Sequence, residues 1–259
     1  MCTLVMLRRP DHDWPMVIGA NRDEMRDRAW RRPDRHWPDR PEIVAGYDEV
    51  AGGSWLGINA HGLVAAVLNR VGTLGALKGK RSRGELVLEA LDHADAVEAA
   101  TALAQLETRS YRPFNLLLAD SRDAFWLAHR GGDRIEVAPI PEGISMLTAR
   151  ELNDPTSPRI AHHAGRFLAA PPPAPAADDW FAWEALLGDT RPQAGFGPES
   201  AMSFMTPAGF GTSSISLIAL PSPALGRPPE WRFAGVSDGL PAWERIALDT
   251  LWSPGSAAI

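Results

Sequence analysis

The cysteine at position 2, the only one in the chain, is the residue whose type and place could do chemistry unaided. Met1 stands before a small side chain, the situation in which methionine aminopeptidases generally act. Its removal would leave a thiol and an α-amine on one carbon, with ordinary pKa values of about 8.5 and about 7.7–8.0. Near neutral pH a useful fraction of the amine is a free base, and the thiol is already appreciably nucleophilic. One residue then carries nucleophile and base, provided that it begins a buried strand. Thr3–Leu7, compact and apolar, supplies one. With Met1 retained, the amine is locked in a peptide bond and this chemistry fails. A small lone thiol also packs well without reacting.

Other reactive types are less specific. The seven histidines show no metal-ligand spacing. His61 falls in turn chemistry and should be exposed, while His162 and His163 are adjacent in a helix and so lie on different faces. One cysteine excludes an intramolecular disulfide framework and a zinc site built on several thiolates. The arginines within 26–40 are interleaved with Asp27, Asp34 and Asp39, which reads as a solvated loop rather than a phosphate site. Gly52-Gly53 with Gly57 lacks the dinucleotide-binding glycine fingerprint. Of the ten tryptophans, Trp30, Trp37 and Trp55 could line an apolar pocket or simply fill a core, and Trp180 with Trp183 fits a buried helix stripe.

The elements that must hold these residues follow from patterning. At 259 residues, 45% hydrophobic and 22% charged, the chain can bury a sizeable core. A net charge of −6 gives no general attraction for nucleic acid or anionic lipid. The N-terminus lacks a signal-peptide pattern, and no apolar run approaches the roughly 20 residues of a membrane span. The expectation is a cytoplasmic protein, a single domain over 1–259 with an extended proline-rich connector at 171–177. Strands are expected at Thr3–Leu7 and Pro15–Ala20, and in hairpins Ser54–Ile58 with Leu63–Asn69 and Phe114–Ala119 with Ala124–His129. Arg134–Pro139, Ile215–Leu220 and Trp231–Val236 are further strands. Helical spacing runs over Gly84–Leu106 with a break near Asp92, over Pro158–Ala169 and over Asp178–Leu187. Strands on both sides of a central helical region predict layered helices and mixed or antiparallel sheets.

Several ordered motifs narrow this further. Cys2-Thr3, Asn21-Arg22-Asp23-Glu24, Ala51-Gly52-Gly53-Ser54-Trp55-Leu56-Gly57, Arg81-Ser82-Arg83-Gly84-Glu85-Leu86, Phe114-Asn115-Leu116-Leu117 and Leu152-Asn153-Asp154-Pro155 together resemble the NRDE family, also called the transport and Golgi organisation 2 family. The likeness is specific over roughly residues 2–160 and looser beyond. That family is similar to the penicillin V acylase and bile-salt hydrolase group of N-terminal-nucleophile hydrolases. The resemblance implies an α+β fold, a four-layer αββα sandwich, and cleavage of non-peptide C–N amides by an N-terminal cysteine. It places Asp23 where an aspartate holds the nucleophile's amine. Asn69, after Gly57-Ile58-Asn59-Ala60-His61-Gly62-Leu63, takes an oxyanion-hole position, and Asn153 matches a second active-site asparagine.

Two arginines of those hydrolases have no match. Ala20 stands where one precedes the Asn-x-Asp segment, and Arg22 is expected to face the opposite side of the strand from that position. Gly211-Thr212-Ser213-Ser214 resembles a segment that often carries the other. On residue type alone Asp23 could instead cap a turn, Asn69 could satisfy backbone groups at a strand end, and Asn153-Asp154-Pro155 is good turn chemistry. Arg22 and Glu24 suit structural salt bridges with partners such as Arg81 and Arg83; Arg22, with Trp55 nearby, could also bind a carboxylate substrate.

Two function classes follow. The first is a hydrolase or acyltransferase acting on a small-molecule amide through Cys2, Asp23, Asn69 and Asn153, with no metal or organic cofactor required. The second is a non-catalytic ligand-binding or trafficking protein on the same fold. For that class the resemblance implies haem or lipid as the transported ligand, and a haem site would need an apolar cleft and an axial ligand.

Overall fold

The chain folds as two stacked antiparallel sheets covered by helices on both outer faces, described by a computed structural model over residues 2–237, 240–249 and 251. In chain order the first strands are β1 (Thr3–Arg8), β2 (Met16–Met25), β3 (Trp30–Asp34), β4 (Ile43–Asp48), β5 (Leu56–Asn59) and β6 (Val64–Asn69). They are followed by β7 (Phe114–Ala119), β8 (Ala124–His129), β9 (Glu136–Pro139) and β10 (Gly143–Leu147), then β11 (Phe210–Leu220), β12 (Glu230–Ser237) and β13 (Leu240–Ile246). One sheet has the order β10-β1-β2-β11-β12-β13, the other β3-β4-β5-β6-β7-β8-β9.

Side-chain alternation along the strands sorts the layers. Leu4, Met6, Ile18 and Ala20 of the first sheet meet Val44, Ile58, Ala66 and Leu117 of the second in a core between the sheets. The intervening residues point outward. Ala45, Ala65 and Leu116 pack beneath α1 (Gly84–Leu91) and α2 (Ala96–Leu103). Val5, Val17 and Leu217 pack beneath α3 (Pro158–Ala169) and α4 (Phe181–Leu187). This is the αββα arrangement expected. Burying an aliphatic side chain of this size contributes about 1.5–3 kcal/mol. A one-residue slip of β2 would therefore move a whole apolar set to the wrong face.

The expected hairpins form, and the break in the first helical stretch falls where Asp95 accepts a hydrogen bond from the Glu98 N–H (2.8 Å) to start α2. The 171–177 stretch is less extended than expected: Pro175–Ala177 makes a 3-10 turn, and Ala174 bridges to Asp179. Strand β2 outruns its apolar core and carries Asn21, Arg22, Asp23 and Glu24 in extended conformation. The strand was expected to end at Ala20 in its apolar part; β1 and β11 on either side supply the ladder that carries it to Met25. β3, β4, β10 and β13 carried no clear strand pattern.

Two glycine contacts shape the region near Cys2. A Cβ on Gly53 would lie 2.5 Å from the carbonyl carbon of Gly84, where the Ser54 N–H donates to the Gly84 carbonyl (3.0 Å). A Cβ on Gly46 would fall 2.4 Å from the Trp55 ring. The glycines thus let α1 start against the strand-5 approach and let the Trp55 indole lie flat on β4. On the other side, α3 buries Arg159, Ile160, His163 and Phe167 along one stripe. His163 is fully buried, with Nε2 on the Ser200 carbonyl, and burial beside His162 and Arg166 lowers its pKa to about 4.

Two stability experiments follow. Gly53→Ala should cost about 1–3 kcal/mol in urea unfolding because backbone has to move. Gly165→Ala in α3, with open space around its Cβ, should be neutral or stabilising by up to about 1 kcal/mol. Since the folded-state pKa of His163 is depressed, the unfolded chain binds the extra proton between about pH 6.5 and 4. Stability should fall as pH drops through that window, by up to about 3 kcal/mol, and His163→Gln should flatten that slope.

Candidate active site around Cys2

Strand parity decides what surrounds the thiol. Cys2 shares the inter-sheet face of β1 with Leu4 and Met6 and is half-buried against that core. Its neighbour on β2 is the Arg22–Asp23 step: the Asp23 N–H donates to Sγ (3.4 Å), and Sγ lies 3.6 Å from the Asp23 carbonyl. Burial pushes the Cys2 thiol above its ordinary pKa, and the Asp23 charge adds to this; Arg22 opposes it.

Arg22 does not lie across the strand from Ala20, contrary to expectation. Positions two apart on a pleated strand share a face, so both look between the sheets. Arg22 is 5% exposed, and its guanidinium stacks over the Trp55 ring at 4.4 Å from the centroid, an arrangement worth about 2 kcal/mol when desolvated. Its Nη1 donates to Ser213 Oγ (3.0 Å), while Nη2 pairs with Asp48 (3.3 Å). Ser213 sits at a register shift in β11 and donates back to the Arg22 carbonyl (3.2 Å). Burial of the guanidinium lowers the Arg22 pKa, with Cys2, Glu24 and Asp48 opposing. The salt-bridge partner of Arg22 is Asp48 on β4. Glu24 instead lies 3.7 Å from Arg28.

Asp23 projects from the opposite face of β2, toward α3. Its carboxylate accepts from Arg159 Nη1 (2.9 Å) and Thr212 Oγ1 (2.8 Å), and Arg159 Nη1 also donates to Thr3 Oγ1 (2.7 Å). The ion pair is 4% and 0% exposed. Arg159 is the member of this cluster that sequence reading missed. Its signal was a basic residue in the first turn of an apolar-faced helix, where the helix dipole disfavours a cation unless a carboxylate compensates. The arginine-free 211–214 segment supplies hydroxyls instead, Thr212 to Asp23 and Ser213 to Arg22.

The two asparagines part company. Asn69, ending β6, lines the same cavity of about 350 Å³ as Cys2, Arg22, Trp55 and Arg83. Four of the five asparagines spend their amide N–H on the protein: Asn21 on the Leu187 and Met202 carbonyls, Asn59 on Leu91 and His93, Asn115 on Thr148 and Arg150, Asn153 on Ser145 Oγ. Among the described residues, the Asn69 side chain has no such partner. Asn153 does not line the cavity. It adopts a left-handed conformation (φ 57°), which asparagine tolerates, and its Oδ1 accepts from the Met146 N–H (2.7 Å) while its own N–H donates to the Met146 carbonyl (2.8 Å). It finishes the edge of β10, the turn chemistry that its sequence also suggested. Among the described residues, no cluster of three or more His, Cys, Asp or Glu side chains could hold a metal ion, and no helix is long and apolar enough to cross a membrane.

The buried pair can be tested directly. Arg159→Met removes the cation facing a fully buried carboxylate and should cost about 3–5 kcal/mol in urea unfolding. Adding Asp23→Asn should recover part of that loss; purely additive losses would show that the two side chains are not coupled.

Structural comparison finds the same fold in solved proteins of low sequence identity. A Caenorhabditis elegans N-acylethanolamine-hydrolyzing acid amidase ortholog superposes with a TM-score of 0.57 at 11% identity, over 84% of this chain and 92% of that one. The C2A variant of a conjugated bile acid hydrolase from Clostridium perfringens gives 0.53 at 12% identity, over 95% and 92%. These likenesses establish the fold. In sequence, the Transport and Golgi organization protein 2 homolog of Bos taurus is 33% identical over 108 residues, 40% of this chain and 38% of the relative's length. The human homolog is 34% identical over 110 residues, with the same coverage. The alignments therefore span well under half of these relatives. The sequence pattern of the Transport and Golgi organisation 2 family covers residues 1–170, and the chain belongs to that family.

Proposed function

We propose that the protein is a cysteine N-terminal-nucleophile hydrolase or acyltransferase acting on a non-peptide amide of a small molecule. The observation that carries this reading is the shared cavity: the Cys2 thiol and Asn69, whose amide has no protein partner among the described residues, line it together. Loss of Met1 would free the Cys2 amine beside the Asp23 segment, and the Asp23 charge would favour its protonated form. The thiol passes its proton to the amine. Sulfur then attacks the amide carbon, the C–S bond forms, and the carbonyl electrons move to oxygen, where Asn69 donates. Collapse breaks the C–N bond, the leaving amine takes the proton from the Cys2 ammonium, and a thioester remains. Water, or another acceptor in a transferase, adds to that carbon, and the C–S bond breaks to restore the thiol.

Arg22 and Trp55 are proposed to form the substrate-facing wall. Arg22 also stands near the thiol and so favours the thiolate. Asn153, tied to β10, is assigned a positioning role through the edge of the sheet beside β1.

The experiment is turnover of an amide panel by the processed chain. Cys2→Ala should abolish product formation. Asn69→Ala should lower kcat by about 10²–10³-fold with a smaller effect on KM, as loss of an oxyanion donor does. A chain that keeps Met1 should be inactive, and its thiol should alkylate with a midpoint above the ordinary cysteine value, since burial and Asp23 both disfavour the thiolate. Full activity in Cys2→Ala would overturn the reading. Tight ligand binding, haem included, with no Cys2-dependent product would identify a carrier instead.

A further inference from the structure

The cavity holds more positive charge than the Cys2 chemistry uses. Arg22 and Arg28 are paired with Asp48, and Arg81 with Glu85. Lys80, Arg83 and Arg112 line the same space, and among the described residues none of the three has a carboxylate partner. Neutral oxygens hold them. Arg83 donates from Nη1 to Thr73 Oγ1 (3.0 Å) and the Pro113 carbonyl (3.1 Å), and from Nη2 to the Gly75 carbonyl (3.3 Å). Arg112 donates from Nη1 to the carbonyls of Leu74 (2.8 Å) and Gly75 (3.0 Å), and from Nη2 to that of Gly72 (3.0 Å). Lys80 donates to the Arg109 carbonyl.

A guanidinium has five N–H groups in a planar fork. Each arginine therefore keeps its Nε–H and one Nη2–H beyond these bonds. Both are half-buried, and both bind the Gly75 carbonyl, so two like charges are drawn together where water is reduced. Burial and the neighbouring Arg112 push the Arg83 pKa down to about 10. Tying the 72–75 loop needs only one such cation. Two side by side, with forks in reserve and a cavity in front, are what a bound anion would stabilise.

We propose that Arg83 and Arg112, with the exposed Lys80 at the rim, form an anion subsite that takes a carboxylate, phosphate or sulfonate group of the ligand, so that the amide substrate is an acidic one. The substrate half of this statement rests on the hydrolase reading; the binding half does not.

The test is calorimetric titration of the full chain with butyrate, inorganic phosphate and butanesulfonate, with neutral butyramide as the control. At least one anion should bind saturably and butyramide should not; the ranking identifies which acid the site prefers. Arg83→Gln and Arg112→Gln should each weaken anion binding at least about tenfold, with urea midpoints checking that the fold persists. Lys80→Gln, at an exposed position that cannot disturb the core, should weaken it about threefold, whereas Lys78→Gln, exposed and outside the cavity, should have no effect. Equal binding of butyramide, equal weakening by Lys78→Gln, or indifference to all three cavity variants would overturn the subsite. Anion binding as described without amide turnover would leave the subsite standing and remove the hydrolase reading. Cys2-dependent turnover of neutral amides with no anion binding would do the reverse.

Discussion

The Asp23–Arg159 ion pair is the constraint on which the site depends. A carboxylate and a guanidinium this well buried each lose several kcal/mol of hydration, which only close geometry and further hydrogen bonds can offset. Thr3, Thr212 and the pair itself supply those bonds. They come from β1, β2, β11 and α3, so the pair can be satisfied only when the strand carrying Cys2, its two neighbours in the sheet and the covering helix are all in register. Any slip of β1 that moved Cys2 would also strip Thr3 from Arg159. The position of the thiol is thus fixed from behind, by chemistry on the other face of the sheet.

That division of faces explains why one short strand segment carries so many polar groups. On β2, Asn21 and Asp23 point to the helix layer and fasten α4 and α3, while Arg22 points between the sheets. Alternation lets a structural anchor and a cavity-lining cation sit on adjacent residues without interfering. The second sheet answers with Trp55, whose ring receives Arg22 and whose own seat depends on the absence of a side chain at Gly46.

Much of this was legible in the sequence. Periodicity located the hairpins, the broken helix and α3, and the ordered motifs led to the αββα fold. For the candidate site, the motifs led to Cys2 and Asn69, and the two line one cavity, although each type also had a packing or capping use. It was less so where types serve two ends. Asn153 offered both turn and site chemistry, and its left-handed backbone at the edge of β10 shows the turn in use. Arg159 escaped because its partner lies 136 residues away in sequence and no local pattern marks a buried salt bridge. The Gly53–Gly84 contact was equally hidden: the glycines were visible, but only folding shows that they face each other.

The distribution of charge around Cys2 separates what stabilises the fold from what the cavity offers a ligand. Asp23 is neutralised from behind and Asp48 is flanked by Arg22 and Arg28, so the acids of the site are spoken for. Among the described residues, three of the cations, Lys80, Arg83 and Arg112, are not. Arg83 and Arg112 are held by carbonyl oxygens, which orient a guanidinium without cancelling its charge. A chain with net charge −6 that leaves an uncancelled positive wall beside its only thiol concentrates its local field against its global one. Such a field lowers the cost of forming a thiolate or an oxyanion, whereas burial of the thiol raises it. The balance between those opposing effects governs how readily the Cys2 thiol ionises.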